Sequence, residues 1–94
     1  MKSIIQKTKQ CWFCKTGQGL HLHHIFGGAN RNASDSNGFV VYLCGYHHNL
    51  GGNGKCVHQC REMDLQLKQA CQREFEKTHS REEFMNIIHK NYLD

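Results

Sequence analysis

The sequence predicts an α+β fold: a small domain in which two short strands and two helices are held together by zinc. The first observation is that only 38% of the 94 residues are hydrophobic. The apolar core is therefore thin and needs a further source of stability, such as disulfides or a structural metal. The second is the presence of six Cys and eight His in so short a chain. The third is a change in hydrophobic periodicity near Val57, from steps of two residues to steps of three and four. We therefore expect strand, loop and strand, followed by two helices.

The two strands and their connections are predicted from local composition. Residues 20–25 alternate apolar and polar side chains, which is typical of a strand with two unlike faces. Residues 39–43 are β-branched and aromatic and predict the second strand. Residues 27–37 are rich in Gly, Asn, Ser and Asp and predict a loop, and the glycines at 51–54 predict a second flexible connection.

The helices are predicted from periodicity and from a capping signal. Apolar side chains recur at steps of three and four from Val57 to Phe75, as on one face of an amphipathic helix. Ser80 and Glu83 have the spacing of a capping box, with Ser80 as the N-cap of a short terminal helix.

The domain organisation is simple and several protein classes are excluded. We expect a basic N-terminal arm at 1–10 and one domain at 11–94, with its core at 11–65 and a helical extension at 66–94. No apolar run approaches the roughly 18 residues of a membrane span, and residues 1–9 lack the apolar segment of a secretory signal. We therefore expect a cytoplasmic protein without a membrane partner, whose cysteines ligate metal rather than form disulfides. The net charge of +4 is compatible with nucleic acid but does not require it.

A Cys₃His group has the spacing of a structural zinc site. Cys11 and Cys14 form a C-x-x-C pair, and Cys44 and His47 form a C-x-x-H pair. Two intervening residues let both ligands of a pair face one ion, and four protein ligands leave no position for substrate. The group therefore predicts a structural zinc that supplies folding free energy. Idle thiols and a redox pair are the alternatives, although a redox pair would need a βαβ context.

The remaining cysteines allow two interpretations. Cys56 and Cys60 flank His58 and could form a second zinc site. Free thiols are the alternative, because a buried Cys behaves as a small hydrophobic side chain. Cys71 lies on the apolar face of the predicted helix.

A second group consists of the histidines His21, His23, His24, His48 and His58. Neighbouring side chains of a strand point to opposite faces, so His23 and His24 do not easily bind one ion together. At a strand end they can divide the work, one holding a metal and the other activating water. That division suits metal-assisted phosphodiester cleavage. The alternatives are a second structural zinc or exposed histidines without a role.

These motifs together resemble the HNH endonucleases. The resemblance is carried by Cys11-x-x-Cys14, by Leu22-His23-His24-Ile25 and by Leu43-Cys44-x-x-His47-His48-Asn49. It covers roughly residues 11–65 and implies a ββα-metal core, two strands and a helix around one catalytic cation. With the downstream Val57-His58, the chain is similar to small phage-borne HNH proteins, including the phage recombination-enhancement nucleases. The resemblance implies a metal-dependent DNA endonuclease in a bacterial host cell, encoded by a phage or prophage.

The resemblance also implies a role for each histidine. His24 matches the general base that activates the attacking water. His23 and His48 match the ligands of the catalytic cation, which would be Mg²⁺, Mn²⁺, Ni²⁺ or Zn²⁺. His58 would complete the metal shell or contact phosphate. His47 stands in the zinc tetrad where the family more commonly has Cys.

The central Asn of the HNH motif is the point at which the sequence departs from the family. It usually lies about six residues before the third zinc ligand, a position that is Gly38 here. Asn37 is the expected counterpart because a one-residue bulge would restore it, and Asn30 and Asn49 are the other nearby candidates. Without an Asn that positions the base, catalysis would be slow or lost.

The expected partner is DNA, duplex or branched. Arg31, Lys55 and Arg61 are the expected nucleic-acid contacts, made mostly to the backbone. A homodimer and a recombination or packaging partner are also compatible with the short chain. The alternative function is a zinc-stabilised nucleic-acid-binding or protein-interaction module without catalysis. Such a module needs only the tetrad, whereas the nuclease needs a second, exchangeable metal at the histidines.

Overall fold

A two-stranded antiparallel sheet positions the Cys and His side chains, and helices pack around it. The computed structural model describes residues 3–51 and 56–93. In order, the elements are β1 (Leu20–His24), α1 (Arg31–Asn37), β2 (Val40–Cys44), α2 (Arg61–Phe75) and α3 (Arg81–Ile88). The strands pair in a register that runs from Leu20 opposite Cys44 to His24 opposite Val40. The α+β class predicted from the sequence is confirmed.

The two strands form where the sequence predicts them, within one residue at their ends. β2 is buried on both faces, since Val40, Val41 and Leu43 have no exposed surface. β1 ends at His24, and pairing continues through one further hydrogen bond, from the N–H of Ile25 to the carbonyl of Phe39 at 2.9 Å. β1 thus carries His21, His23 and His24, and β2 ends at Cys44.

The prediction of a loop at 27–37 is wrong, because this segment contains a 3₁₀ turn followed by α1. The hydroxyl of Ser34 is buried and bonds both backbone groups of Phe26, at 3.1 Å to the N–H and 2.7 Å to the carbonyl. Gly38 ends the helix in the left-handed conformation at φ 74°, where glycine has no steric penalty. These contacts and the cap outweigh the low helix propensity of Asn, Ser and Asp, and the order becomes strand, helix, strand.

The helix expected from Val57 begins later, at Arg61. Cys60 is its N-cap, with the extended backbone angles φ −123° and ψ 106°. Cys56 and Val57 are buried in the turn before it, where the Val57 N–H donates to the carbonyl of His47 at 2.7 Å. The sequence pattern places Val57 on the helix because its side chain is apolar at the expected spacing. In the structure the side chain is buried, but the backbone around it forms a turn. Consequently His58 lies in this turn, before the helix begins.

Four phenylalanines join the sheet to the helices. The rings of Phe26 and Phe39 are 5.6 Å apart, and Phe84 of α3 is 5.6 Å from Phe26. Phe75 of α2 contacts Phe39 at 5.6 Å. Edge-to-face packing at such distances is favourable, and it fixes α2 and α3 against the back of the sheet.

The predicted capping box of α3 is confirmed. The Ser80 hydroxyl accepts the N–H of Glu83 at 3.0 Å, and the Glu83 carboxylate accepts the N–H of Ser80 at 3.1 Å.

Part of the expected N-terminal arm packs onto the domain. Ile4 and Ile5 contact the core, and the Ile4 N–H donates to the carbonyl of Gly38 at 3.0 Å. The side-chain oxygen of Gln6 accepts the N–H of Tyr42 at 2.8 Å. Lys7 and Lys9 are exposed. The segment therefore covers the edge of β2 while presenting its charges to solvent.

We predict that Ser34→Ala lowers the free energy of unfolding by about 1–3 kcal/mol, because it leaves the buried N–H of Phe26 without a partner. Ser36→Ala is the matched control on the exposed side of the same helix and should change it by less than about 0.5 kcal/mol. Urea unfolding of the zinc-loaded proteins measures both. Equal stability of the two variants would contradict this account of α1.

Candidate metal centres

Two segments of the chain, residues 11–14 and 44–47, bring the predicted zinc tetrad together. The Sγ atoms of Cys14 and Cys44 are 3.7 Å apart. The Nδ1 of His47 is 3.2 Å from the Cys44 Sγ and 3.6 Å from the Cys11 Sγ. Around a tetrahedral zinc, two sulfurs are separated by about 3.8 Å and a sulfur and a nitrogen by about 3.6 Å. The cluster of Cys11, Cys14, Cys44 and His47 could therefore hold a structural metal.

Two turns hold these ligands in place. The first is a knuckle in which the Lys15 N–H donates to the carbonyl of Cys11 at 2.9 Å, with Lys15 at φ 67°. The Trp12 N–H donates to the carbonyl of Tyr42 at 3.0 Å, which fastens the knuckle beside β2. The second turn follows Cys44 directly as a π-helical turn, Tyr46–Leu50, and carries His47. Trp12 itself packs against the core.

The electrostatics of the tetrad favour a thiolate at Cys11. Burial raises the pKa of this thiol, but hydrogen bonds from the backbone around Cys14, Cys44 and Phe13 lower it more, and the pKa falls to about 6. Burial raises the pKa of Cys44 instead. Because the thiolate is the form that binds metal, Cys11 is ready to act as a ligand at neutral pH.

The structure brings three of the predicted histidines into a second cluster. The ligand nitrogens of His23, His48 and His58 all lie within 4.8 Å of one another. The Nε2 atoms of His48 and His58 are 3.1 Å apart, which matches the roughly 3.0–3.4 Å between two imidazole nitrogens on one divalent ion. Among the described residues, the Nε2 of His23 is buried without a hydrogen-bond partner. A buried nitrogen in that state is costly, so the donor set fits a cation.

The protonation state of this cluster also suits a metal. Burial, with smaller electrostatic contributions from the neighbouring His48 and His58 rings, lowers the pKa of His23 to about 3. Burial also lowers the pKa of His48, with contributions from His58 and His21. Since a protonated imidazole has no lone pair to donate, both side chains are in the ligand form at neutral pH.

His24 faces the same cavity but has a different partner. The cavity has a volume of about 380 Å³. It is lined by the adjacent β1 residues His23 and His24 and by Arg31, His48 and His58. The His24 side chain is 18% exposed, and its Nε2 lies 3.3 Å from the Oδ1 of Asp35.

Asp35, the partner of His24, is the candidate site residue that sequence reasoning missed. It lies in the segment predicted as a loop and belongs to no motif. Only the helical turn of α1 brings its carboxylate to His24. Asp35 could have been found from the sequence only by predicting helix α1.

The other expected site residues lie elsewhere. The Asn37 amide donates to the carbonyl of Ala33 at 2.8 Å within α1, and Asn37 lines a different cavity, with Ile4 and His79. Arg61, the first residue of α2, shares a cavity of about 440 Å³ with His58. Lys55 lies outside the described residues.

The remaining cysteines form no third ligand group. Within residues 3–51 and 56–93, Cys56 and Cys60 join no cluster of three metal-binding side chains. Cys56 and Cys71 are buried, and burial raises the pKa of the Cys71 thiol. These observations favour the free-thiol interpretation.

Comparison with known proteins adds no relative to this picture. A scan against protein-family models, a search of the curated proteins and a search of the solved structures found no match. In the part of the chain that the structure describes, no helix has the length and apolar character to cross a membrane.

We predict that the tetrad binds one metal tightly and that the domain needs it to fold. Structural zinc contributes about 10–16 kcal/mol of apparent binding free energy, more than this thin core can replace. Removal by a strong chelator should therefore abolish the far-ultraviolet circular dichroism of the domain. In the cobalt-substituted protein, Cys14→Ser should lose the intense thiolate-to-cobalt absorption and unfold.

Cys60→Ser is the matched control, since Cys60 belongs to no ligand cluster; it should keep both signals. Retention of the thiolate-to-cobalt band at full strength in Cys14→Ser would show that the tetrad is assigned incorrectly.

Proposed function

We propose that this protein is a metal-dependent endonuclease of the HNH type that hydrolyses phosphodiester bonds in DNA. The observation that carries the proposal is the convergence of three metal-binding histidines with His24 in one cavity. A structural tetrad alone would support a binding module as well. The histidine cluster adds a site that opens to solvent and in which a lowered pKa keeps His23 and His48 neutral.

The order of the elements around the cavity supports an HNH-like core. His23 and His24 end β1, His48 lies in the turn after β2, and His58 lies in the turn before α2. Side chains from β1, from the turn that follows β2 and from the turn that precedes α2 thus line the same cavity, an order that resembles the family's ββα-metal arrangement.

The residues divide the chemistry between them. A divalent cation, when bound by His23, His48 and His58, supplies electrostatic stabilisation of the charge that develops on phosphate. His24 accepts the proton of the attacking water, a task that suits an imidazole at neutral pH. Asp35 holds the His24 ring through Nε2, so that the other ring nitrogen is available to the water.

The surroundings of the cavity favour an anionic polymer as substrate. Arg31 lies on one side, and Arg61 lies in the neighbouring cavity that shares His58. Gly27 and Gly28 line the same wall, and in the described structure a Cβ at either would meet open space. Two cationic side chains in cavities that both include His58, with the bare backbone of Gly27 and Gly28 beside one of them, suit contacts to phosphates. The proposed substrate is duplex or branched DNA in a bacterial cytoplasm, with a homodimer or a recombination or packaging partner as the assembly.

The proposal is tested by nicking of supercoiled plasmid with added Mg²⁺, Mn²⁺ or Ni²⁺. We predict metal-dependent nicking that falls by about 10²–10⁴-fold in His24→Asn, because the general base is lost. His89→Asn is the matched control; His89 is exposed, ends α3 with a left-handed backbone and should tolerate Asn with full activity.

Absence of cleavage with any metal, from folded protein that retains its tetrad metal, would contradict the nuclease and favour the binding module. Equal nicking by wild type and His24→Asn would show that His24 is not the base.

We further predict that Asp35→Asn lowers kcat by less than His24→Asn does, and leaves the metal concentration for half-activation unchanged. The reason is that Asp35 is 53% exposed and orients the base without contacting the metal ligands. Glu62→Gln, an exposed acidic side chain of α2, is the control and should retain the wild-type rate. A kcat for Asp35→Asn equal to the wild-type value would remove Asp35 from the mechanism.

A further inference from the structure

His21 lies beside the proposed cation cluster but outside its ligand set. Side chains two residues apart share a face of a strand, so His21 and His23 point to the same side of β1. The strand register places His21 opposite Leu43, one residue before Cys44. His21 therefore faces the turn that carries His48.

The contact between the two rings is close and directional. The Nδ1 of His21 lies 2.9 Å from the Nδ1 of His48, and the rings are nearly perpendicular, at 82° with centroids 5.1 Å apart. The Nε2 of His48 points the other way and lies 3.1 Å from the Nε2 of His58. His48 is thus held by His21 at one nitrogen and offers the other to the cluster.

This geometry has a consequence for the tautomer of His48. A neutral imidazole carries one N–H and one lone pair. If the Nδ1–H of His48 donates to the Nδ1 of His21, the lone pair is on Nε2 and is directed at the cluster. If His21 donated instead, the proton of His48 would be on Nε2, and His48 could not ligate there.

We infer that His21 is a positioning residue that fixes the Nε2-donating tautomer and the ring orientation of His48 toward a divalent cation. Metal-binding histidines commonly donate their second N–H to such an acceptor, and loss of the acceptor weakens metal binding by about 10–100-fold. In this protein the acceptor is an imidazole from the neighbouring strand. The inference rests on the cation site of the proposed function and adds a residue to it.

The test is a titration of the zinc-loaded protein with Co²⁺ alone, in which binding is measured by calorimetry and by visible absorption. Cobalt bound by histidines gives weak visible bands without the thiolate band, so binding at this site is distinguished from exchange into the tetrad. We expect His21→Leu to bind the second metal about 10–100-fold more weakly than wild type. His21→Asn places an amide oxygen near the position of Nδ1 and should recover most of the affinity.

Two controls separate this role from a general effect on β1. His24→Asn alters the adjacent side of the same strand and should leave the Co²⁺ affinity unchanged, whereas His48→Ala should abolish the second site. Circular dichroism and tetrad zinc content must match wild type in every variant that is compared. In nicking assays, His21→Leu should need more metal for half-activation and regain most of its kcat at saturating metal.

The outcomes distinguish this inference from the proposed function. Wild-type Co²⁺ affinity in His21→Leu would overturn the positioning role and leave the nuclease proposal intact. Equal weakening in His21→Leu and His21→Asn would also overturn it, because the acceptor would then be irrelevant. A wild-type protein that binds no second cobalt would overturn the cation site and this inference together.

Discussion

The short turn that follows β2 is the constraint on which both candidate metal centres depend. Cys44 and His47 belong to the tetrad, while His48, the next residue, belongs to the histidine cluster. Closing the tetrad therefore fixes the backbone that presents His48 to His21, His23 and His58. In a chain whose apolar core is thin, a metal held by the tetrad would also be the strongest single source of stability. Folding and site assembly consequently share one local event.

The second feature on which the histidine cluster depends is the alternation of side-chain directions along β1. His23 is 7% exposed and neutral, a state that would be costly for an imidazole with nothing to bind. His24, the next residue, faces the cavity, and its ring contacts Asp35 of α1. A buried candidate ligand and a more accessible candidate base are thus obtained from adjacent residues. The same alternation places His21 on the ligand side of the strand.

Sequence alone was sufficient for the features that local patterns determine. The Cys₃His cluster, the two strands and the Ser80–Glu83 capping box follow from spacing and periodicity over a few residues, and the structure has each of them. Helix α1 could not be predicted, because the buried hydroxyl of Ser34 and its bonds to Phe26 are tertiary contacts. Asp35 was missed for the same reason. The start of α2 was placed too early because burial of Val57 in a turn has the same signature as burial on a helix.

The most direct test of the account is anomalous diffraction from crystals of the protein grown with zinc and then soaked in Mn²⁺. The account predicts a zinc peak surrounded by Cys11, Cys14, Cys44 and His47, and a separate manganese peak bound by the Nε2 atoms of His23, His48 and His58. It also predicts the Nδ1 of His48 within hydrogen-bond distance of His21. A zinc peak alone, or a manganese ion bound through the Nδ1 of His48, would contradict it.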